Sequence, residues 1–128
     1  MQIEVLKSKL HRATVTAAML DYEGSISIDT ELLAAAEMHA YQKVDIYNIN
    51  NGARFSTYII PGRKGEICLN GAAARMAQVG DRIIIVTFTH IEESEADKWL
   101  PNVVLLGDNN TIKEAGRKAI AAGTKVSG

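Results

Sequence analysis

Val44-Asp45-Ile46-Tyr47-Asn48-Ile49-Asn50, then Asn51-Gly52, then Ala53-Arg54-Phe55-Ser56-Thr57-Tyr58-Ile59-Ile60, is the stretch that decides the fold class. Two runs rich in β-branched and aromatic residues flank an Asn-Gly pair, the signature of a two-residue type I′ hairpin. Such a turn predicts Ile49 opposite Arg54, Tyr47 opposite Ser56 and Asp45 opposite Tyr58. Period-two alternation then puts Asp45, Tyr47, Ile49, Arg54, Ser56 and Tyr58 on one face, and Val44, Ile46, Phe55, Thr57 and Ile59 on the other. The second face is mainly apolar and predicts core. The first carries a cation, two phenols and a hydroxyl. It reads either as a solvated outer wall or as a surface turned to a ligand.

The same texture continues outward from the hairpin. Residues 3–7 predict a first strand, and residues 10–20 a longer β-prone stretch that opens beside Lys9, His11 and Arg12. Residues 61–65 predict a turn, 66–69 a short strand and 101–107 a last strand. Residues 82–89 are nearly all apolar and β-branched, which predicts a central strand. Helical signals are short. Asp29-Thr30 is an N-cap pair before an Ala-rich run at 31–38. Residues 70–77 read as a strand end entering a helix, 91–99 as a short acidic helix, and 112–122 as a helix weakened by Gly116 and Gly123. Residues 124–128 predict a mobile end to a polar tail that begins near residue 108. Many short strands with small helices at the corners predict a compact β-barrel.

The chain of 128 residues fits one domain and is long enough to bury an independent core. A net charge of −1 gives no reason to expect nucleic acid or an anionic membrane surface as a partner. The single cysteine, Cys68, excludes an internal disulfide and reads as a buried, inert thiol. The three histidines and Cys68 lack ligand spacing, so no metal site is expected. His39 and His90 read as surface residues. The N-terminus does not read as a signal peptide, no apolar run approaches membrane-spanning length, and a cytoplasmic location is expected.

Two small-residue stretches carry possible chemistry. Tyr22-Glu23-Gly24-Ser25 lies between the run Ala13-Thr14-Val15-Thr16-Ala17-Ala18-Met19-Leu20 and the alternation Ile26-Ser27-Ile28. Its Gly-Ser bond therefore sits at a bend between ordered segments. Glycine can store backbone strain, and the serine Oγ is within reach of the glycine carbonyl. Attack there turns the amide into an ester; loss of the serine Cα proton eliminates the ester, cuts the chain and leaves dehydroalanine, which hydrolyses to a pyruvoyl group. Taken alone, the dipeptide more commonly marks a turn. Asn70-Gly71-Ala72-Ala73-Ala74 lets a ligand approach free amides, or is a tight turn before a helix. No Gly-x-Ser-x-Gly elbow surrounds Ser25, which disfavours a serine hydrolase. A non-enzymatic barrel that binds a ligand or partner remains the alternative.

Taken together, Lys9-Leu10-His11-Arg12, Tyr22-Glu23-Gly24-Ser25, Ile28-Asp29, Asn51 through Tyr58, Asn70 through Ala74, Val79-Gly80-Asp81-Arg82 and Trp99-Leu100-Pro101-Asn102-Val103 resemble the bacterial aspartate 1-decarboxylase family. Order and spacing carry the resemblance, from residue 3 to about residue 107; no single piece is specific. It implies a mainly β fold, a six-stranded double-psi β-barrel with short capping helices, assembled as a homotetramer with active sites near subunit boundaries. It implies cleavage between Gly24 and Ser25 into chains 1–24 and 25–128, and a covalent pyruvoyl cofactor derived from Ser25. That ketone would take up the electrons left when L-aspartate loses its α-carboxylate to give β-alanine for pantothenate synthesis.

By the same resemblance, Thr57 would polarise the Gly24 carbonyl, and Tyr58 would protonate the substrate carbon. Arg54 would grip the side-chain carboxylate, with Lys9 on a second carboxylate or neutralising the site. Asn70 would orient a carbonyl, and the amides of Gly71, Ala72 and Ala73 would cradle the substrate. Tyr47 would form a wall where tryptophan is common in the family. His11 reads as a ligand contact or a barrel-edge residue. The hairpin register sets Thr57 and Tyr58 on opposite faces, in tension with a shared site. The tail after Gly107 departs from the family pattern. A maturation partner is not specified by the sequence.

Overall fold

The computed structural model describes residues 1–120. The β-prone N-terminal stretches form one long strand, β1 (Gln2–Thr14), which runs on through Val15 and Thr16 into β2 (Ala17–Met19). Its register shifts twice against the central strand β7 (Arg82–Glu92), between Leu6 and Ser8 and between Leu10 and Ala13. Arg12 adopts φ 66° at the second shift, a left-handed residue that turns the side chains of a bulge in new directions.

The hydrogen-bonded order explains why this is a barrel. From β2 it passes to β6 (Ile67–Asn70), β3 (Ser25–Asp29), β5 (Arg54–Gly62), β4 (Lys43–Asn48), β7 and back to β1. Because β2 continues β1, six strand segments close a ring. Thr16 seals the seam: its amide donates to the Ile67 carbonyl at 2.8 Å, and its Oγ1 accepts from the Ile67 amide at 3.0 Å. Closure leaves the ring no open edge. β8 (Asn102–Leu106) adds parallel to β1, and β9 (Ile112–Arg117) adds antiparallel to β8, which brings the sheet to nine strands. The expected mainly β barrel is therefore the fold.

Alternation fills the interior. Leu10, Ile26, Ile28, Ile46, Ile59, Ile67, Leu69, Ile83 and Ile85 are all fully buried. Each such side chain contributes about 1.5–3 kcal/mol of burial. The expected helix is α1 (Thr30–Ala36), whose N-cap Asp29 accepts from the Glu31 amide at 2.8 Å. Residues 70–77 and 91–99 give 3-10 turns instead of α-helices, at Gly71–Met76 and Glu93–Lys98.

Two expectations are corrected. Residues 112–117 are strand β9, paired from Asn102↔Arg117 to Leu106↔Ile112, because the edge of β8 is available to them and Gly116 at φ 142° suits a strand edge better than a helix. Residues 118–120 of that expected helix are not helical either; its last two residues, 121–122, and the expected mobile end at 124–128 lie outside the described residues. The hairpin is also shifted: Tyr47 opposes Arg54, Asp45 opposes Ser56 and Lys43 opposes Tyr58. Asn48 causes the shift. Its Oδ1 accepts from the Asn50 and Asn51 amides, its carbonyl accepts from the Gly52 amide, and its Nδ2 reaches Asp81 and the Met76 carbonyl. Asn51 does not adopt the positive φ that a type I′ turn requires. The slip is an even number of residues, so the two faces keep their predicted membership.

Candidate active site

Strand register assembles a groove on the outer wall of the barrel. Met19 pairs with Asn70, and Asn70 with Ser25; Tyr58 precedes Ile59 on β5 as Ser25 precedes Ile26 on β3. Ala17, Cys68, Ser27 and Ile60 form the next row by the same pairings. The two rows line a cavity of about 710 Å³, with Tyr22 and Glu23 at one end and Arg63 and Glu66 at the other.

Ser25 opens β3 and is 3% exposed. Its Oγ accepts from Asn70 Nδ2 at 3.0 Å and donates to the Glu23 carbonyl at 3.2 Å. Asn70 Nδ2 also donates to Ser27 Oγ at 3.1 Å, while Asn70 Oδ1 accepts from Cys68 Sγ at 3.3 Å. Burial, with Glu66 next in effect, pushes the Cys68 thiol pKa up, so the sulfur keeps its proton. The hydroxyl is thus pinned from two sides, and an sp³ oxygen so held keeps one lone pair free.

Gly24 precedes Ser25 in an exposed segment. Its φ lies outside the left-handed region, and a Cβ there would meet nothing within 4 Å. The expected backbone constraint falls on Gly71 instead. Gly71 has φ +63°, and a Cβ on it would lie 2.5 Å from both the Gly24 nitrogen and the Tyr22 carbonyl oxygen. Asn70 and Ala73 are buried, whereas Ala72 is exposed.

The remaining expected site residues lie elsewhere on the outer wall. Tyr47 and Arg54 face each other across β4 and β5, with the Arg54 guanidinium 4.1 Å from the Tyr47 ring centre. Lys9 is on the far side of β7, in the row Lys9–Val86–Asp45. His11 occupies the β1 bulge and pairs with Leu105. Burial first, then Lys9, Arg12 and Lys118, lower the His11 pKa to about 4, so the imidazole is neutral at pH 7. Burial and Lys118 lower the Lys9 pKa as well. The His11 Nδ1 and Arg12 Nε are buried and find no hydrogen-bond partner among the described residues. Thr57 is opposite Val44, on the other side of β5 from Tyr58, and does not line the groove. His39 and His90 are exposed, as expected.

Ser27 carried no reading in the sequence, and Cys68 read only as a buried, inert thiol, not as a neighbour of Asn70 in the groove. The signal was present in the period-two pairs Ser25/Ser27 and Cys68/Asn70, but which strands would be neighbours was not visible.

Fold and groove define a small β-barrel whose outer wall holds a buried serine directly after a glycine-ended loop. A family model described as aspartate decarboxylase matches residues 1–113. The aspartate 1-decarboxylase of Ralstonia nicotianae is 60% identical over 116 residues, covering 89% of this chain and 97% of the relative. Those of Sulfurimonas denitrificans and Hydrogenobaculum sp. are 58% and 55% identical, covering 89% and 91% of this chain and 96% and 94% of the relatives. The chain belongs to the aspartate decarboxylase family.

Proposed function

We propose that this chain cuts itself between Gly24 and Ser25, converts Ser25 into a pyruvoyl group and decarboxylates L-aspartate to β-alanine for pantothenate synthesis. The observation that carries the reading is the buried Ser25 hydroxyl, held by Asn70 and Glu23 at the start of β3 in a groove, in a member of this family. Ser25 Oγ attacks the Gly24 carbonyl carbon. Its proton passes to the Ser25 nitrogen, the C–N bond breaks and an ester forms. Loss of the Ser25 Cα proton expels the Gly24 carboxylate and leaves dehydroalanine. Water then replaces the nitrogen, which leaves as ammonia.

The Ser25 oxygen leaves with the Gly24 carboxylate, and the ketone oxygen forms on the Ser25 Cα; the Asn70 Nδ2, 3.0 Å from the departing oxygen, is a donor beside that carbon and would hold the ketone. When present, the pyruvoyl group supplies the electron sink that decarboxylation of an amino acid requires. The chain's own residues do the rest. The family resemblance alone assigns Thr57, which faces away from the groove, to polarising the Gly24 carbonyl; Tyr58, in the same row as Ser25, is assigned to delivering a proton to the substrate carbon. Arg54 and Lys9 are assigned to the substrate carboxylates, the amides of Gly71, Ala72 and Ala73 to cradling it, and Tyr47 and His11 to the walls.

Arg54 precedes Tyr58 by four residues on one face of β5, about 13 Å along the strand. The carboxylate-binding wall and the Ser25 groove are therefore set apart within one chain. A second copy laying its Lys9–Tyr47–Arg54 wall over the groove would bring them together, which supports sites shared between subunits of the homotetramer that the family resemblance implies. Among the described residues no helix is long and apolar enough to cross a membrane. The buried free cysteine agrees with a cytoplasmic location.

Denaturing mass spectrometry with an aspartate assay tests the proposal. Chains 1–24 and 25–128 are expected, the longer one lighter by one ammonia than hydrolysis alone would leave it, together with β-alanine production. An intact chain after long incubation, with no β-alanine, would favour a ligand-binding barrel.

A further inference from the structure

We propose that Cys68 is a positioning residue for maturation: its thiol fixes the orientation of the Asn70 amide, so that Asn70 donates to Ser25 and does not accept from it. The inference rests on the self-cleavage reading above.

Cys68 and Asn70 are two residues apart on β6, so their side chains share the groove face, and both are buried. A thiol has one proton to give. The Asn70 Oδ1 at 3.3 Å is the nearer acceptor, against 3.9 Å for the Leu69 carbonyl. With that proton on Oδ1, the two Nδ2 protons face Ser25 Oγ at 3.0 Å and Ser27 Oγ at 3.1 Å, so both donors and the oxygen of the amide are engaged. Asn70 is 5% exposed, so water offers little competition for these positions.

A carboxamide has a second orientation, turned by half a rotation. There Oδ1 would lie between the two serine hydroxyls and accept from both. Ser25 would then spend its proton on Asn70 and release the Glu23 carbonyl, and its oxygen would be held at one point instead of two. In the observed orientation the hydroxyl accepts from Asn70, donates to Glu23 and presents its remaining lone pair from a fixed position. The thiol decides between the two states, because a flipped amide would turn its NH₂ toward sulfur, a weak acceptor. Burial and Glu66 keep the thiol protonated and able to donate. Cys68→Ala removes the donor, whereas Cys68→Ser supplies a hydroxyl in its place.

Full-length wild type, Cys68→Ala and Cys68→Ser are followed from fresh precursor by mass spectrometry of the 25–128 chain, with thermal unfolding recorded for each. Cys68→Ala is expected to mature about tenfold more slowly, the scale of one modest hydrogen bond. Cys68→Ser is expected to recover most of the wild-type rate. A wild-type rate in Cys68→Ala, or a folded Cys68→Ser as slow as Cys68→Ala, overturns the proposal while self-cleavage stands. A wild-type chain that never cleaves overturns both.

A second measurement does not depend on how the cysteine variants fold. Cys68 is the only cysteine, so the S–H stretch of an uncleavable Ser25→Ala chain is a single band. A hydrogen-bonded, low-frequency band that moves up in Ser25→Ala/Asn70→Leu is expected. A band at the unbonded position in the parent chain overturns the proposal.

Discussion

Gly71 and Gly24 meet backbone to backbone: a Cβ on Gly71 would lie 2.5 Å from the Gly24 nitrogen and 2.7 Å from the Gly24 Cα. The conformation of the bond before Ser25 is therefore supported from outside the Tyr22–Gly24 segment, by the residue after Asn70. Side-chain and backbone support come from neighbours in sequence, Asn70 on the hydroxyl and Gly71 on the loop.

Gly71→Ala is accordingly expected to slow cleavage more than Cys68→Ala does. Alanine at φ +63° costs about 1–2 kcal/mol, and its methyl must displace the loop from Ser25. The measurement is precursor half-life by mass spectrometry alongside the unfolding midpoint. Normal maturation in a folded Gly71→Ala would show that the loop moves freely.

Thr57 and Tyr58 are neighbours on opposite sides of β5 and are assigned to different reactions. Thr57→Val should slow cleavage sharply and leave the fold intact. Tyr58→Phe should cleave normally but form β-alanine about a hundredfold more slowly per cleaved chain, the scale of losing a positioned acid. Normal maturation of Thr57→Val, or normal turnover of matured Tyr58→Phe, refutes the corresponding assignment.

Arg54→Ala should spare cleavage and lower kcat/KM for aspartate by about a hundredfold, through loss of a charge-assisted pair. Arg54→Lys should recover only part of this, because lysine lacks the fork that grips a carboxylate and stacks less well on Tyr47. Wild-type kinetics in Arg54→Ala would place the residue outside the site.

The His11 pKa is lowered from 6.5 to about 4 by burial and by Lys9, Arg12 and Lys118. Between these values the unfolded chain binds the proton more readily than the folded one. The His11 contribution to stability therefore falls as pH drops from about 6.5 to about 4, then levels off. Urea unfolding at pH 7 and pH 4.5 should show a larger acid loss for wild type than for His11→Gln. Equal losses would mean that His11 titrates normally.

The sequence by itself determined the class of fold, the cap at Asp29, the two faces of the hairpin and the residues to watch around Gly24-Ser25. The first three follow from side-chain periodicity or from a local hydrogen bond, which act within a few residues, whereas Gly24-Ser25 stood out through the order and spacing of the motifs that resemble the family. The even register slip shows the limit: Asn48 moved the pairing through contacts with Asp81 and Met76, distant in sequence, yet alternation kept Arg54 and Tyr58 on their face. Residues 112–117 became a strand because β8 offered an unpaired edge, which local helix propensity does not register. Only the tertiary structure set Cys68 and Asn70 beside Ser25 and Ser27, and carried Lys9 and Arg54 to another wall. The physical reason is that strand neighbours are chosen by burial and ring closure across the whole barrel, and those long-range pairings decide which side chains share a groove.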